Sequence, residues 1–338
     1  MTLMTRDRLR AIAGHFRGLS VAVVGDFRLD RFLEIDPARE ERSIETGLAV
    51  HNVVGARAVL GAAGAIVANL SAMGVGRIIP IGFAGDDTEG HRMRLLLRRC
   101  DGVRLRHFLH TPVRRTCASV RLVVTDATGR LRELERIDFK NWTATPLRLV
   151  ARLAQAVQIV AADVDAIVVM DAVGRHGEGV VSATVLLVVA EVARARPDLV
   201  VIADGQRGLT RYPPPIGLRV NAAEFAALTG QPPRHVAVAA FARERDASVY
   251  VTLGVGGIIG ADRDGTIVDA PALPARGTTD PVGGGDAVTA ALAAALSAGG
   301  SAGAEACAFA MLAASVVVHQ VGAGRAASWD RMERLCAD

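Results

Sequence analysis

Lysine is nearly absent from the sequence. Of the 39 basic residues in the 338-residue chain, only Lys140 is a lysine, and the rest are arginines. A P-loop needs a lysine directly after a glycine, and a protein kinase needs one on its third strand. Lys140 lies in the run Asp138-Phe-Lys-Asn141, which matches neither arrangement. If the chain binds ATP, we therefore expect backbone amides, arginine and a metal ion to hold the phosphates.

Cysteine is also scarce, and its spacing excludes a zinc site. The four cysteines are far apart and form no CxxC or Cys/His cluster that would supply a tetrahedral ligand set. They are Cys100, Cys117, Cys307 and Cys336. The first 18 residues hold five charged side chains and lack the apolar run of a signal peptide. We therefore expect reduced thiols and a cytoplasmic location.

Neither the charges nor the aromatic residues indicate nucleic-acid binding. The 39 basic and 35 acidic residues are spread along the chain and give a net charge of +4, whereas nucleic-acid binders concentrate basic residues on one face. Trp142 and Trp329 are too isolated to form a stacking platform. Residues 287–304 are uncharged but alanine-rich and interrupted by Gly299-Gly300, which favours a buried helix over a membrane span. We predict neither a nucleic-acid nor a membrane partner.

The apolar residues predict an α/β fold. They make up 51% of the chain against 22% charged residues, which is enough for a sizeable core. Short β-branched runs, typical of strands buried in a parallel sheet, recur along the chain. They lie at 19–26, 77–83, 166–171, 199–204 and 248–253. Segments with helical spacing, such as 146–160 and 179–196, separate most of them, so we predict a doubly wound, mostly parallel sheet.

Two segments, 31–54 and 113–137, interrupt this alternation. Within the second, residues 115–124, a turn at 126–129 and residues 131–137 predict an antiparallel hairpin. Both segments fit a small β appendage, or lid, over the central sheet.

The most informative motif is Asp280-Pro-Val-Gly283-Gly284-Gly285-Asp286, directly ahead of an alanine-rich helix that we expect to run to about Ser297. Glycines at a helix start let backbone amides approach an anion, and the helix dipole favours negative charge there. Asp286 in the first turn is then placed to accept a proton from an attacking hydroxyl. The alternative is that Asp286 only caps the helix and the glycines form a tight turn.

This motif resembles the second signature of the ribokinase-like, or PfkB, carbohydrate kinases. Further matches lie in family order along the chain. They are Val24-Gly25-Asp26 with Leu29-Asp30-Arg31, and the segments 68–74, 82–90, 221–224 and 252–257. The resemblance implies one kinase domain over 1–338, a ribokinase-like three-layer α/β/α sandwich with a mostly parallel central sheet, and a small β-sheet lid formed by 31–54 and 113–137. Around Asp30 and in the tail 305–318, the chain most resembles the D-glycero-β-D-manno-heptose-7-phosphate kinase group.

The resemblance implies ATP-dependent transfer of the γ-phosphoryl group to a hydroxyl of a sugar or sugar phosphate, heptose 7-phosphate among the candidates. It makes Asp286 the general base and the amides of Gly283, Gly284 and Gly285 the anion hole. It also places Asn221 and Glu224 around the water shell of Mg²⁺, which keeps several waters in such sites. The same pair is equally the pattern of an ordinary helix-capping box.

Other roles follow by the same resemblance. Thr252, Gly254 and Gly257 would line the nucleotide, and Asp280 is a candidate ligand for K⁺. Asp30 and Gly61 would contact the sugar. Arg115 in the lid is a candidate clamp for the sugar's own phosphate, with a solvated face as the alternative. The lid is also expected to form the contact of a homodimer.

The first glycine-rich signature departs from the family pattern. Where relatives have Gly-Gly-Ala-Ala-Asn, this chain has Gly61-Ala62-Ala63-Gly64-Ala65, so a glycine and the sugar-facing asparagine are both alanine. Loss of a polar group that pairs with a substrate hydroxyl should change or weaken sugar choice. In addition, Asp204-Gly-Gln-Arg-Gly208 replaces the frequent Asp-Pro-Lys-Gly.

Two other functions are considered. A catalytically weak or silent family member could bind nucleotide or sugar in a regulatory role, as the altered first signature suggests. A nicotinamide-dependent dehydrogenase could use Gly61-Ala-Ala-Gly64, but it would leave the motif around Asp286 without a role.

Overall fold

The computed structural model describes residues 3–125, 131–173, 177–205, 208–299, 303–320 and 326–336. In these ranges the strands are β1 (Ser20–Gly25), β2 (Phe27–Ile35), β3 (Glu41–Arg42), β4 (Ala49–Val50), β5 (Val53–Ala62), β6 (Arg77–Gly85), β7 (Phe108–Thr111), β8 (Cys117–Thr125), β9 (Leu131–Phe139), β10 (Ala166–Asp171), β11 (Val200–Gly205), β12 (Gly217–Asn221), β13 (Val249–Thr252), β14 (Ile258–Ala261) and β15 (Ile267–Ala270). The helices are α1 (Arg6–Gly14), α2 (Ala63–Ala72), α3 (Thr88–Arg98), α4 (Leu147–Val160), α5 (Ala183–Ala195), α6 (Ala222–Thr229), α7 (His235–Arg245), α8 (Gly284–Ser297), α9 (Gly303–Val318) and α10 (Trp329–Leu335).

The larger sheet is mostly parallel, as predicted. Among the described residues it has nine strands in the order β15-β14-β13-β12-β11-β10-β1-β6-β7. Every neighbouring pair from β7 to β13 is parallel, and only the pairs β13–β14 and β14–β15 at one edge are antiparallel. All five β-branched runs identified in the sequence coincide with strands of this sheet, namely β1, β6, β10, β11 and β13. Strands that are buried on both faces read as continuous apolar runs, so sequence alone located them.

Helices cover both faces of this sheet. In β1, Val21 and Val23 pack into a core with residues of α1, α2, α8 and α9. Ala22 and Val24 point the other way, into a second core with residues of α4, α5, α6 and α7. Successive strand residues face opposite sides, so one strand serves two cores. The predicted three-layer α/β/α sandwich is confirmed.

A smaller four-stranded sheet, in the order β5-β2-β8-β9, forms the lid. The predicted hairpin is present as β8 and β9, which pair antiparallel, whereas its predicted turn at 126–129 lies outside the described residues. The bounds of the first segment differ from the predicted 31–54. β2 begins at Phe27, and β5 extends to Ala62 because it pairs with β2 along its whole length. The lid therefore also includes Gly61 of the first glycine-rich signature, which lies outside the predicted lid segment.

The order of the strands favours a binding site at the carboxyl ends of the parallel strands. β1 is flanked by β6 on one side and β10 on the other, so the strand order reverses direction there. In such sheets ligands bind at the carboxyl ends of the strands, at the point of reversal. β2 leaves the carboxyl end of β1 after a single residue, Asp26, which brings the lid over that edge. In the part of the chain that the structure describes, every helix is too short or too polar to cross a membrane.

Candidate active site

A cavity of about 570 Å³ lies between the carboxyl ends of the parallel strands and the lid. We call its two walls the lid side and the sheet side. The lid side is formed by Arg28, Asp30, Gly61, Arg121 and Arg136. The sheet side is formed by Asp204, Arg219, Asn221, Glu224, Gly283, Gly285 and Asp286. Seven of the site residues predicted from the sequence therefore line this one cavity: Asp30, Gly61, Asn221, Glu224, Gly283, Gly285 and Asp286.

Gly283 caps α8, and Gly284 and Gly285 begin its first turn; we call these three residues the glycine turn. Gly283 has a φ of 83°, a left-handed conformation that glycine adopts without strain. The amide of Gly284 donates to the Pro281 carbonyl at 3.2 Å, so it is engaged within the turn. The amides of Gly283, Gly285 and Asp286 have no acceptor among the described residues. Unpaired amides at a helix start favour the binding of an anion. The predicted donors were the amides of the three glycines, and here the amide of Asp286 takes the place of that of Gly284.

Asp286 presents a carboxylate to the cavity. This half-buried carboxylate forms no ion pair or hydrogen bond with another described residue. Burial raises the pKa of Asp286 to about 7, and the nearby Asp204 adds to the rise, while Arg219 and Arg28 oppose it. A carboxyl group whose pKa lies near neutrality is well matched to a general base at physiological pH.

Arg219 lies directly beneath the glycine turn, and sequence alone missed it. Its guanidinium pairs with the carboxylate of Asp204, and its Nε donates to Thr289 Oγ1 at 3.1 Å. The Thr289 hydroxyl donates in turn to Asp204 Oδ2 at 2.6 Å. A Cβ atom at Gly285 would lie 2.7 Å from Arg219 Nη2, so only glycine allows the guanidinium to approach here. The available signal in the sequence was an arginine between two apolar residues, Leu218 and Val220, directly before Asn221.

Asn221 and Glu224 form the capping box at the start of α6. The Glu224 amide donates to Asn221 Oδ1 at 2.9 Å, and the Asn221 amide donates to Glu224 Oε2 at 2.7 Å. Burial raises the pKa of Glu224. Both residues also line the cavity, and carboxylate and amide oxygens are suitable ligands for Mg²⁺ or its waters. Since the described residues contain no cluster of three metal-binding side chains, a Mg²⁺ ion here depends on phosphate and water ligands.

Thr252, Gly254 and Gly257 lie outside the cavity, at the end of the neighbouring strand β13. Thr252 is in register with Asn221 of β12, and its hydroxyl donates to the Val220 carbonyl at 3.3 Å. Gly254 and Gly257 adopt left-handed φ values of 59° and 91°. These residues extend the edge of the sheet beyond Asn221.

Asp280 also lies outside the cavity lining. Its amide donates to the Val318 carbonyl at 2.7 Å, and its carboxylate accepts a hydrogen bond from the Val282 amide at 3.1 Å. Asp280 therefore holds the loop that leads into the glycine turn.

Asp30 forms an ion pair with Arg28, for which the sequence predicted no role. Arg28 donates Nε to Asp30 Oδ1 at 2.7 Å and Nη2 to Oδ2 at 3.2 Å. The two residues are two apart on β2 and so share one face of the strand, which was a usable signal. A Cβ atom at Gly61 would collide with Asp30 Oδ2. The three residues form one unit in which Asp30 is already paired.

Arg115 does not line the cavity, contrary to its predicted role. It is exposed, its guanidinium lies 5.7 Å from the centre of the Phe139 ring, and its amide donates to Asn141 Oδ1 at 3.0 Å. Arg115 precedes the first residue of β8, so it lies outside the inward face of the lid. Arg121 and Arg136, which are paired across β8 and β9, line the cavity instead.

Comparison with known proteins identifies the family. A sequence model of the pfkB family of carbohydrate kinases matches residues 21–330. The chain belongs to this family. The predicted carbohydrate kinase, with the ATP co-substrate of that family, is therefore confirmed at this level.

Similar curated proteins agree with this assignment. The bifunctional protein HldE of Rhodospirillum rubrum is 32% identical over 331 residues, which cover 96% of this kinase and 64% of that protein. The bifunctional protein HldE of Azorhizobium caulinodans is 28% identical over 278 residues, which cover 81% of this kinase and 55% of that protein. This kinase thus spans about half to two thirds of the length of the curated relatives it matches.

Solved structures confirm the ribokinase-like fold. The Arabidopsis thaliana ribokinase complexed with ribose and ATP superposes with a TM-score of 0.66 at 22% identity, over 95% of this kinase and 99% of that chain. Phosphofructokinase-2 from Escherichia coli superposes with a TM-score of 0.71 at 17% identity, over 94% of this kinase and 98% of that chain. At these identities the likeness concerns the fold alone.

The altered first signature of this kinase has a structural consequence. Ala62, which replaces the second glycine, has φ 52° and ψ −127°, a conformation that strains a residue with a Cβ atom. Asn69 does not replace the asparagine lost at Ala65. Its amide nitrogen donates to the Ala65 carbonyl at 2.8 Å, and its oxygen accepts from the Ala327 amide at 2.9 Å. Both ends of Asn69 are therefore engaged within the protein.

The segment after β11 can be described in part. Asp204 is buried and belongs to the Arg219 cluster, whereas Gln206 and Arg207 lie outside the described residues.

Proposed function

We propose that this kinase transfers the γ-phosphoryl group of ATP to a hydroxyl group of a sugar phosphate, with Asp286 as the general base. The observation that supports this most is the free carboxylate of Asp286 beside amides that lack acceptors among the described residues, in one cavity. Phosphoryl transfer needs a group that binds the phosphoryl anion and a group that accepts the proton of the hydroxyl, close to each other.

In the proposed reaction, Asp286 accepts the proton of the attacking hydroxyl. The hydroxyl oxygen forms a bond to the γ-phosphorus as the bond to the β-phosphate oxygen breaks, which leaves ADP. The amides of Gly283 and Gly285, together with that of Asp286, stabilise the charge on the transferring group. The amide of Gly284 contributes to the turn instead, because it is bonded to Pro281.

Asn221 and Glu224 are the proposed residues for Mg²⁺, acting through its water ligands. When bound, the ion supplies neutralisation of the phosphate charge. Capping and metal binding are compatible here, because the capping bonds leave Glu224 Oε1 unused and a second lone pair on Asn221 Oδ1. We further propose that Thr252, Gly254 and Gly257 line the rest of the nucleotide, and that Asp280 stands beside a K⁺ ion.

The acceptor is proposed to carry an anionic group. The lid side has three arginines, Arg28, Arg121 and Arg136, and its described residues add only one carboxylate to the cavity lining, that of Asp30, which pairs with Arg28. Arg121 and Arg136 pair with Glu133 and Asp138, which do not line the cavity. Among the described residues, the buried Nε of Arg121 has no hydrogen-bond partner. A guanidinium group can bind two oxygens of a phosphate with two parallel hydrogen bonds, so a sugar phosphate fits this wall better than a neutral sugar. Heptose 7-phosphate, the acceptor implied by the resemblance, has this chemistry.

We also propose a homodimer in the cytoplasm, formed through the lid. Its two edge strands, β5 and β9, expose apolar side chains. Val53, Val54 and Ile137 are 50%, 56% and 54% exposed. Light scattering on the purified protein would give twice the mass of the chain, and Ile137→Glu should return it to the mass of a monomer.

A second candidate is a family member that binds nucleotide or sugar without turnover. Two observations favour it. The carboxylate of Asp30 is already hydrogen-bonded by Arg28, and Ala65 stands in place of an asparagine, so two groups that would bind sugar hydroxyls are engaged or missing. The two candidates differ in whether ADP is released.

The test is ADP release from Mg·ATP across neutral sugars and their phosphates, heptose 7-phosphate included. We expect turnover with a sugar phosphate that exceeds turnover with the same sugar lacking phosphate. Asp286→Asn should lower kcat by roughly 10³-fold, within the usual range for loss of a general base. Binding of Mg·ATP without ADP release from any acceptor would favour the second candidate, and no binding of ATP would contradict both.

A further inference from the structure

Arg219 occupies an unusual position on the sheet side. Its side chain is only 10% exposed, yet it reaches the cavity and lies against the Cα atom of Gly285. The glycine turn above it presents the amides of Gly283 and Gly285. The guanidinium is thus beside the point at which the transferring group would be held.

Only part of the guanidinium is used within the protein. Nε donates to Thr289, and Nη2 donates to Asp204. A guanidinium has five N–H groups in a fixed fork, so three remain after these two bonds. Nη1 has no partner among the described residues. Asp204 and Thr289 therefore fix the plane of the group and leave Nη1 available for a ligand.

Positive charge is scarce on the sheet side of the cavity. Of the described residues that line the sheet side, Arg219 alone is cationic, while Asp204, Glu224 and Asp286 are acidic. Phosphoryl transfer depends on neutralising charge on the equatorial oxygens of the transferring group. The chain has a single lysine, Lys140, which pairs with Asp138 at the end of β9 and does not line the cavity. A fixed cation at the sheet side must then be an arginine.

We infer that Arg219 is a catalytic residue that contacts the γ-phosphoryl group of ATP through Nη1, opposite the amides of the glycine turn. This inference rests on the proposed function. Asp204 and Thr289 act as positioning residues, because they hold the guanidinium and touch no reacting atom. Gly285 is required for the same geometry, since any side chain there would displace Arg219.

The inference predicts a difference between ATP and ADP, because only ATP has a γ-phosphoryl group. The variant to use is Asp204→Asn/Arg219→Met. Removing Arg219 alone would leave Asp204 as a buried, unpaired charge, whereas removing both charges preserves a neutral interior. The side-chain oxygen that remains after Asp204→Asn can still accept the hydrogen bond from Thr289.

Binding of Mg·ATP and Mg·ADP should be measured by calorimetry, with thermal unfolding as the test of folding. We expect the double variant to bind Mg·ADP within about threefold of the wild type. It should bind Mg·ATP about 10- to 100-fold more weakly, the usual cost of a hydrogen bond to a charged group. Equal losses for both nucleotides, or no loss for either, would overturn the inference.

Two further variants keep the test decisive. Arg219→Lys retains the charge but not the geometry of the guanidinium, so its affinity for Mg·ATP should fall more than its affinity for Mg·ADP, by a smaller factor than in the double variant. If the ratio of the two affinities is unchanged in Arg219→Lys, the inference is contradicted, even if the double variant fails to fold. Thr289→Val loosens the guanidinium without removing it, so it should lower kcat while the affinity for Mg·ADP stays the same. A Thr289→Val protein that loses both nucleotides equally would show that Thr289 is structural.

Failure of this inference can be told apart from failure of the proposed function. If the wild type releases ADP with an acceptor but the double variant shows no selective loss of ATP, only the role of Arg219 is wrong. If the wild type releases no ADP with any acceptor and the selective loss is still seen, Arg219 binds the γ-phosphate and the proposed transfer is wrong.

Discussion

Two helices begin at the cavity, each at a residue with a left-handed backbone. On the sheet side, α8 begins after Gly283, whose φ is 83°. On the lid side, α2 begins after Ala62, whose φ is 52°. Their ψ angles differ, at −7° for Gly283 and −127° for Ala62. Both conformations have a positive φ, which glycine adopts freely and which strains alanine. The sheet side thus retains the residue that its backbone requires, and the lid side does not.

The same contrast extends to the polar groups. The sheet side combines the expected Asp286, Asn221 and Glu224 with the glycine turn. The lid side lacks the expected asparagine, and Asp30 is paired with Arg28. ATP presents the same phosphates to every kinase, so the sheet side has little freedom to change. In the proposed reaction the lid side binds the acceptor, whose chemistry differs between kinases, and this side carries three arginines, Arg28, Arg121 and Arg136.

For variants of the lid side, the largest expected effect concerns its arginines. Arg121→Met should lower kcat/KM for the sugar phosphate by about 10- to 100-fold, because a charge-assisted hydrogen bond is lost. The value for the same sugar without phosphate should change little. Steady-state kinetics with the matched pair of acceptors measures both.

Arg115→Met is the matched control, since Arg115 is a lid arginine that lies outside the cavity. It should change neither value by more than about twofold, the small effect of an exposed charge. If Arg121→Met lowered both values equally, the lid side would not distinguish anionic from neutral acceptors.

A smaller effect concerns the stability cost of Asp286. Burial raises the pKa of Asp286 to about 7, above the ~3.9 of an unfolded aspartate. The folded state is therefore destabilised by this group as pH rises from about 4 through 7, and the cost is complete above pH 7. Asp286→Asn removes this cost. The full shift corresponds to about 4 kcal/mol, but Asp286 is only half-buried and solvent screens its charge, so the free energy of unfolding should rise by about 1–2 kcal/mol at pH 8.

At pH 4 the same substitution should give almost no gain, because Asp286 is then largely protonated in the folded state and bears little of this cost. Denaturant unfolding at the two pH values provides the measurement. A gain of equal size at both would mean that the charge of Asp286 carries no cost in the folded protein.

The smallest effect tests the strained backbone directly. Ala62→Gly should raise the free energy of unfolding by about 1 kcal/mol, since it relieves a left-handed alanine. Gly283→Ala should lower it by a similar amount through backbone strain alone, because its Cβ would meet only Val317 Cγ1 at 3.6 Å, an ordinary contact. Thermal or denaturant unfolding of both variants is sufficient. If Ala62→Gly were destabilising, the lid side would not store strain at Ala62.

Most of the large sheet could be predicted from the sequence, and the lid only in part. Strands such as β1 and β10 are buried on both faces and read as continuous apolar runs. β5 mixes exposed and buried residues and ends in glycine and alanine, so it was not recognised as a strand. Its pairing with β2 depends on tertiary contacts, which outweigh local propensity at such positions.

The site shows the same limit. Asp286 and the glycine turn form a contiguous motif, so sequence order alone brought them together. Arg219 and Asp204 lie on neighbouring strands, and their contact depends on the register of β11 against β12. Arg121 lies within β8 and lines the cavity, whereas Arg115 precedes that strand. Residue type alone could not choose between them.

The most direct test of Asp286 as the base of a kinase is the pH dependence of label transfer from [γ-³²P]ATP to the sugar phosphate. A base must be deprotonated to act, so kcat/KM should rise with pH and level off above about 7, the pKa of Asp286. In Asp286→Asn the residual rate should be small and lose this rise. A wild-type profile that is flat from pH 5 to 8, or a rise that persists in Asp286→Asn, would contradict the assignment.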